Sequence, residues 1–252
     1  MAVSFGDLLA EGSSVPVEGW DFSWFEGRAT EERPPWGYSR LLAQRMATAH
    51  AALDLDTGGG EVLAQIPQPP PVLVATESWV PNLPIARRNL ARLGASVVAV
   101  GDDGDLPFPA GTFDLVVSRH PVDTRWDEVA RVLTPAGTYL SQQVGAGSVR
   151  ELTDAMMGPQ EVSLTRDPRR AVAEAEAAGL EVVDLRTAAL RMEFCDVAAV
   201  IVFLRKVIWT VPGFTVDACR PQLAELHQRI QDGGPFIAHA QRFLIEARKP
   251  AR

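Results

Sequence analysis

The chain has 252 residues, 46% of them apolar, enough for one large domain with a substantial core. A formal net charge of −8 argues against a large basic nucleic-acid footprint, although a local basic patch can sit within an acidic total. The two cysteines, Cys195 and Cys219, lack metal-ligand spacing, which leads us to expect reduced thiols in a cytoplasmic protein. No basic-then-apolar leader is visible, and the most apolar stretch, Val197 to Leu204, is too short to span a bilayer.

Residues 1–35 show no clear periodicity. They hold Trp20, Phe22, Trp24 and Phe25 among Gly, Ser and Glu, and this many aromatics are expected to pack as an arm or lid. Residues 36–252 read as one domain. Trp36 to Ala49 has a helical pattern, and Ala51 to Leu55 is a short apolar strand. A glycine cluster follows, then a helix over Glu61 to Ile66. After the breaker Pro67-Gln68-Pro69-Pro70-Pro71, Val72 to Thr76 is a second strand. Pro84 to Leu93 is a helix with Gly94 as its stop. Arg87, Arg88 and Arg92 on it read as a solvated face.

Strands are next expected at Ser96 to Val100, Phe113 to Ser118 and Gly137 to Val144, with a helix over Asp127 to Leu133 between the last two. Ser148 to Met157 and Pro168 to Ala178 read as helices, and Leu180 to Leu190 as a sixth strand. Val197 to Ile208 and Arg220 to Gln231 are helical, and Ile237 to Ala247 is the seventh strand. The alternation argues for an α/β three-layer sandwich. Its sheet is seven-stranded and mostly parallel, with an antiparallel last strand. Residues 191–236 then form a cap insertion between the last two strands.

The run Asp54-Leu55-Asp56-Thr57-Gly58-Gly59-Gly60 is a strand passing into a glycine turn, the order in which open α/β sheets present nucleotide-like ligands. Glu77 ends the second strand, where an acid can accept ribose hydroxyls, or instead be a helix N-cap or a solvated loop carboxylate. The third strand ends in Gly101-Asp102-Asp103, followed by the wedge Leu106-Pro107-Phe108-Pro109. A carboxylate there can meet an exocyclic amine beside apolar packing. The Phe113-Asp114-Leu115-Val116-Val117-Ser118 strand would open onto the same crevice.

This ordered set, together with Ala130-Arg131-Val132-Leu133-Thr134-Pro135-Ala136-Gly137, resembles the class I S-adenosylmethionine-dependent methyltransferases over roughly residues 48–145. The last motif departs from the family pattern, since Ala136 stands where a glycine is usual. The resemblance implies a Rossmann-like fold with S-adenosyl-L-methionine as cofactor. Asp54, Asp56 and the backbone of Thr57, Gly58, Gly59 and Gly60 would hold its methionine end. Glu77, with Ser78 and Trp79 beside it, would meet the ribose side. Asp102 and Asp103 would meet the adenine, and Ser118, Arg119 and His120 would lie near the sulfonium and the methyl acceptor.

Several residues keep two readings. Asp56 replaces the first glycine of a pyrophosphate fingerprint, and its charge opposes a dinucleotide. It either attracts the cofactor's ammonium or only tolerates an unusual backbone angle. Trp79 either stacks near adenine or packs in the core. His120 is the candidate general base, or a loop histidine bonded to backbone or water. Arg119 binds an anionic acceptor or pairs with an acid. Glu193-Phe194-Cys195-Asp196, Trp209 to Phe214 and Gly234-Pro235-Phe236 are candidates for an acceptor pocket. His239 and Arg242 on the last strand face toward that pocket or away from it. The expected partner is a small-molecule acceptor, with no metal and no membrane. An RNA (guanine) methyltransferase and a non-catalytic cofactor-binding protein are the alternatives. The oligomeric state is not legible.

Overall fold

The computed structural model describes residues 3–17, 22–101 and 105–251; Trp20, Asp102 and Asp103 lie outside them. The chain order is α1 (Phe5–Ser14), β1 (Ala29–Glu31), α2 (Tyr38–Met46), β2 (Ala51–Leu55), β3 (Val72–Glu77), α3 (Leu83–Leu90), β4 (Ser96–Ala99) and β5 (Phe113–Arg119). It continues with α4 (Trp126–Val132), β6 (Leu133–Val144), α5 (Arg150–Met157), α6 (Pro168–Ala177), β7 (Glu181–Phe194), α7 (Val197–Lys206), α8 (Arg220–Gly233) and β8 (Phe236–Arg248). The strands form one sheet in the order β1-β7-β8-β6-β5-β2-β3-β4. β2, β3, β4, β5 and β6 are mutually parallel, and β8 runs antiparallel to β6. The expected fold is therefore present, with eight strands rather than seven. The added strand, β1, pairs antiparallel with the end of β7.

Two compact units can be separated. One comprises Met1–Arg33, Gly147–Ser163 and Ala189–Gln241; the other comprises Pro34–Ala146, Leu164–Ala188 and Arg242–Arg252. In the second unit the central strands β2 and β5 are buried on both faces, and consecutive residues alternate between two cores. Ala52, Leu115, Val117, Leu140 and Leu244 join Trp36, Tyr38, Leu42 and Met46 on the α2 face. Leu53, Val116, Tyr139, Phe243 and Ile245 join Trp126, Val129 and Val132 of α4, with Ala171 and Ala175 of α6, on the other. At the N-terminal end of β2, the Asp114 carboxylate accepts from the amides of His50 and Ala51 at 2.8 and 2.9 Å.

In the first unit, α1 starts at a capping box made by Ser4 and Asp7 and packs on α7. That helix escapes a periodicity reading, because only Leu8, Leu9 and Gly12 of it are buried. α7 is apolar all round and buried from Val197 to Leu204, with Asp196 capping it by accepting from Ala199 N at 2.8 Å. Phe194 is fully buried edge-on to Phe203, and Glu193 pairs with Thr30 of β1, so these residues build the fold rather than a pocket. Trp209 is half exposed, and His239 Nδ1 lies 2.6 Å from the Glu151 carboxylate.

One expected element is missing. The segment Glu61–Ile66 forms only a single 3-10 turn, Leu63–Gln65. Ile66 precedes Pro67, and its backbone is extended (φ −66°, ψ 134°), because proline excludes the helical region from the residue before it. The glycine turn is thus not followed by an α-helix, and no helix N-terminus stands behind it.

Ala136, in β6, has φ +63°, a left-handed conformation that an L side chain adopts only with strain. Relief of that strain exceeds the added chain entropy of glycine, so Ala136→Gly is expected to stabilise the protein by about 0.5–1 kcal/mol, read as a rise in Tm.

Candidate functional site

The C-terminal ends of β2, β3 and β5 carry most of the residues that sequence reading singled out, and all of the following lie in the second unit. After β2 the chain turns through Asp56 (φ +52°), Gly58 (φ +64°) and Gly60 (φ +79°). Asp56 thus adopts the unusual backbone angle that Asp tolerates better than most residues. Thr76 of β3 ties the turn down. Its carbonyl accepts from Thr57 N at 2.9 Å and its hydroxyl from Asp56 N at 3.3 Å. From the other side, Asn89 Nδ2 donates to the Gly59 carbonyl at 2.9 Å. A Cβ on Gly60 would stand 2.9 Å from Leu90 Cγ, so α3 packs against bare backbone. Thr76, Asn89 and Leu90 carry no motif signal, and their part in holding the turn comes entirely from packing.

Asp54 is buried at the mouth of this turn. Burial raises its pKa from 3.8 to about 7, and the carboxylates of Asp56 and Glu77 push it further in that direction. The Thr57 hydroxyl offsets part of the rise, although Thr57 Oγ1 stands buried without a hydrogen bond of normal geometry. The site therefore combines an acid that resists ionisation, two further acids and an orphaned hydroxyl. A cation able to donate hydrogen bonds satisfies that combination.

Glu77 is also buried, and its Oε1 accepts from Trp79 N at 2.8 Å. It thus closes a tight turn as well as facing the site. Ser78 is partly buried. Trp79 is 51% exposed, which excludes core packing and leaves an indole at the rim. Asp102 and Asp103 lie outside the described residues. The wedge after them is held from α4: Glu128 Oε2 accepts from Leu106 N at 2.7 Å, and Arg131 donates to the carbonyls of Phe108 and Leu106 at 2.7 and 2.9 Å. Glu128 itself is kept ionised by its hydrogen bonds to Arg131, which lower its pKa.

At the end of β5 the expectations are corrected. Ser118 is not placed for a ligand. Its hydroxyl is buried and hydrogen-bonded to Tyr139 Oη and Ser141 Oγ, both at 2.8 Å, while its carbonyl accepts from Tyr38 Oη at 2.9 Å. Strand alternation would send His120 to the same face as Ser118, but His120 has φ +56°, which breaks the alternation. Its ring instead meets Gln142, with Nε2 2.9 Å from Gln142 Nε2. The amide orientation is settled by Trp36, whose indole N–H can only donate and reaches Gln142 Oε1 at 2.8 Å. Gln142 must then present N–H to His120, so His120 accepts at Nε2 and carries its proton on Nδ1. Burial and the charges of Arg119, Arg242 and Arg166 also hold the ring's pKa well below the ordinary value, so it stays neutral. Its basic nitrogen is occupied, and the general-base reading of His120 does not fit this arrangement.

Residues 53–141 match a family model described as a methyltransferase domain. Among solved structures, a candidate methyltransferase from Bacillus halodurans C-125 is 20% identical, with a TM-score of 0.59, covering 84% of this chain and 98% of its own. The YcgJ protein from Bacillus subtilis is 19% identical, with a TM-score of 0.58 and coverage of 84% and 97%. A geranyl diphosphate C-methyltransferase from Streptomyces coelicolor A3(2), in complex with Mg2+, geranyl diphosphate and S-adenosyl-L-homocysteine, is 12% identical, with a TM-score of 0.52 and coverage of 85% and 79%. No curated protein sequence matches the chain.

Two outcomes are expected. Asp54 holds its proton more tightly in the folded state (about 7) than in the unfolded chain (3.8), so stability falls as pH rises from about 4 to about 7. Urea denaturation should find Asp54→Asn more stable than the parent at pH 8, by on the order of 2–4 kcal/mol, with the difference vanishing below about pH 3.8, where Asp54 is protonated in both states. Trp36→Phe removes the donor that orients Gln142. It should cost about 1–3 kcal/mol and bring the Nε2–H tautomer of His120 into view by 15N NMR.

Proposed function

We propose that this chain, whose residues 53–141 match a methyltransferase-domain family model and whose fold is shared with solved methyltransferase structures, transfers a methyl group from S-adenosylmethionine to a small-molecule acceptor. The observation that carries the reading is the buried Asp54, pushed to a pKa of about 7 beside Asp56 and Glu77 at the end of the central strand. A pyrophosphate would meet three carboxylates there; a cofactor with an ammonium and a sulfonium meets the charge it needs. When bound, S-adenosylmethionine supplies an already activated methyl group.

The chain's own residues then have these roles. Asp54, together with the backbone from Asp56 to Gly60 and the Thr57 hydroxyl, holds the ammonium and carboxylate end. Asp56 is exposed and adds negative charge at the mouth. Glu77 receives the ribose hydroxyls, its carboxylate aimed by the Trp79 amide. Trp79, at the rim, covers the adenine side. Arg119 and His120 stand on the acceptor side. His120 donates a hydrogen bond there rather than removing a proton. An in-line methyl transfer chiefly requires alignment and exclusion of water, which a neutral, orientation-locked ring at this position serves.

A small acceptor is supported by the acidic net charge of −8 and by the geranyl diphosphate enzyme among the structural neighbours. Among the described residues no helix is long and apolar enough to cross a membrane, and both cysteines are free, in keeping with a cytoplasmic setting.

Binding requires ionised Asp54. Calorimetry with S-adenosylmethionine should therefore show affinity rising roughly tenfold between pH 5.5 and 7, with proton release, and Asp54→Asn should flatten that profile. Incubation with methyl-labelled S-adenosylmethionine and fractionated cell extract should place label in the small-molecule pool. Label in RNA would overturn the acceptor class, and absence of cofactor binding would overturn the reading itself.

A further inference from the structure

β7 is 14 residues long, but β1 covers only the end of it. Their register pairs Ala29 with Phe194, Thr30 with Glu193 and Glu31 with Met192. One rung further, Glu32 N donates to the Arg191 carbonyl at 2.9 Å, and the Glu32 carboxylate accepts from Arg191 N at 3.0 Å. The next donor on that side would come from Pro34, which has no N–H, so the ladder stops. Among the described residues, the stretch 181–188, which belongs to the second unit, therefore has β8 as its one neighbour in the sheet. The opposite edge of the sheet, β4, is only 4 residues long. β7 thus leaves the longer row of backbone groups open.

Backbone alternation decides which groups face outward. Arg191 turns its N–H and C=O to the β1 side, and Cys195 N does the same, donating to the Arg28 carbonyl at 2.8 Å. In an antiparallel sheet, alternate residues of a strand bond to the same neighbour. Counting back in twos from Arg191, Leu185 and its neighbours Val183 and Thr187 present N–H and C=O to the open edge. Their side chains share one face, on which Val183 is 43% and Leu185 38% exposed. Asp184 and Arg186 lie on the other face, joined by an ion pair at 2.6 Å. No proline, glycine or lysine guards the stretch 181–188.

We propose that this edge is a homodimer interface, in which β7 pairs antiparallel with β7 of a second copy about a two-fold axis at Leu185. Leu185 then meets Leu185, and Val183 meets Thr187, as hydrogen-bonded pairs. Val183 and Leu185 of both copies form one apolar strip on the exposed face. On the other face, Asp184 of each copy stands opposite Arg186 of the other, in the closer, non-hydrogen-bonded pairs. Four charges alternate in sign there, which favours the pairing and fixes its register. Axes at Asp184 or Arg186 set like charges against each other. Axes at Val183 or Thr187 leave both charges opposite apolar residues. The dimer uses up the open edge of each copy, so assembly stops at two.

Sedimentation velocity on the full chain, from about 1 to about 300 μM, should show monomer–dimer exchange with a Kd on the order of 10 μM, as suits an interface of one strand pair. Asp184→Arg and Arg186→Asp should each weaken the dimer at least tenfold, by about two repulsive pairs replacing two attractive ones. The double variant carrying both substitutions should recover it, because opposite charges meet again. Leu185→Pro removes an N–H that the monomer leaves open and should also abolish the dimer. Melting curves at low concentration check that each variant folds. A 27.3 kDa monomer throughout, which would leave the edge to a strand of another protein, overturns the proposal. So does a dimer indifferent to the single substitutions, or a folded double variant that stays monomeric.

Discussion

The constraint on which the structure depends is the burial of β2 and β5 on both faces. Ala52 and Leu53, like Val116 and Val117, send neighbouring side chains into different cores, so neither strand has a solvated side. Polar chemistry is thereby confined to the strand ends. At the N-terminal end the Asp114 carboxylate is used up by the His50 and Ala51 amides. At the C-terminal end Asp54, Glu77 and Arg119 have no such full set of partners. A ligand site at that edge follows from the sheet, before any motif is consulted.

The glycine turn does its work differently from the usual helix-backed loop. With Ile66 held extended before Pro67, there is no α-helix N-terminus to supply a positive end. An anion-binding role is weakened twice over, by the missing helix and by Asp56. What remains is a turn clamped by Thr76, Asn89 and Leu90, next to an acid whose ionisation burial opposes. Burial and the neighbouring carboxylates make ionisation of Asp54 costly, and positive charge arriving there would lower that cost.

At β5 and β6 a single donor decides the chemistry of a residue some distance from it. Trp36 can only donate, so Gln142 can only present its N–H to His120, and His120 can only donate onward. A histidine that looks like a base in the sequence becomes a fixed hydrogen-bond donor. The same packing that makes Trp36 a core residue, 3% exposed, thus sets the protonation of a site residue.

Local pattern alone was enough for the strands from Ala51 onward, the turn at 56–60, and the acid at Glu77. Apolar runs bounded by Gly and Pro leave few alternatives, and a glycine turn after a central strand has one place to go. The helix α1 and strand β1 were not legible, because a capping box and three buried positions carry no strong period, and β1 is three residues long. Nor were the neighbours of Asp54, the absorption of Ser118 into the Tyr139–Ser141 network, or the Trp36–Gln142–His120 chain. Those residues are brought together across strands that lie far apart in the chain, and pairing register and buried hydrogen bonds exist only after the sheet forms. The sequence by itself determined the fold class, since that rests on residue order within single β–turn–α stretches. Only the tertiary structure decided charge state and tautomer, since these depend on desolvation and on partners supplied by other strands.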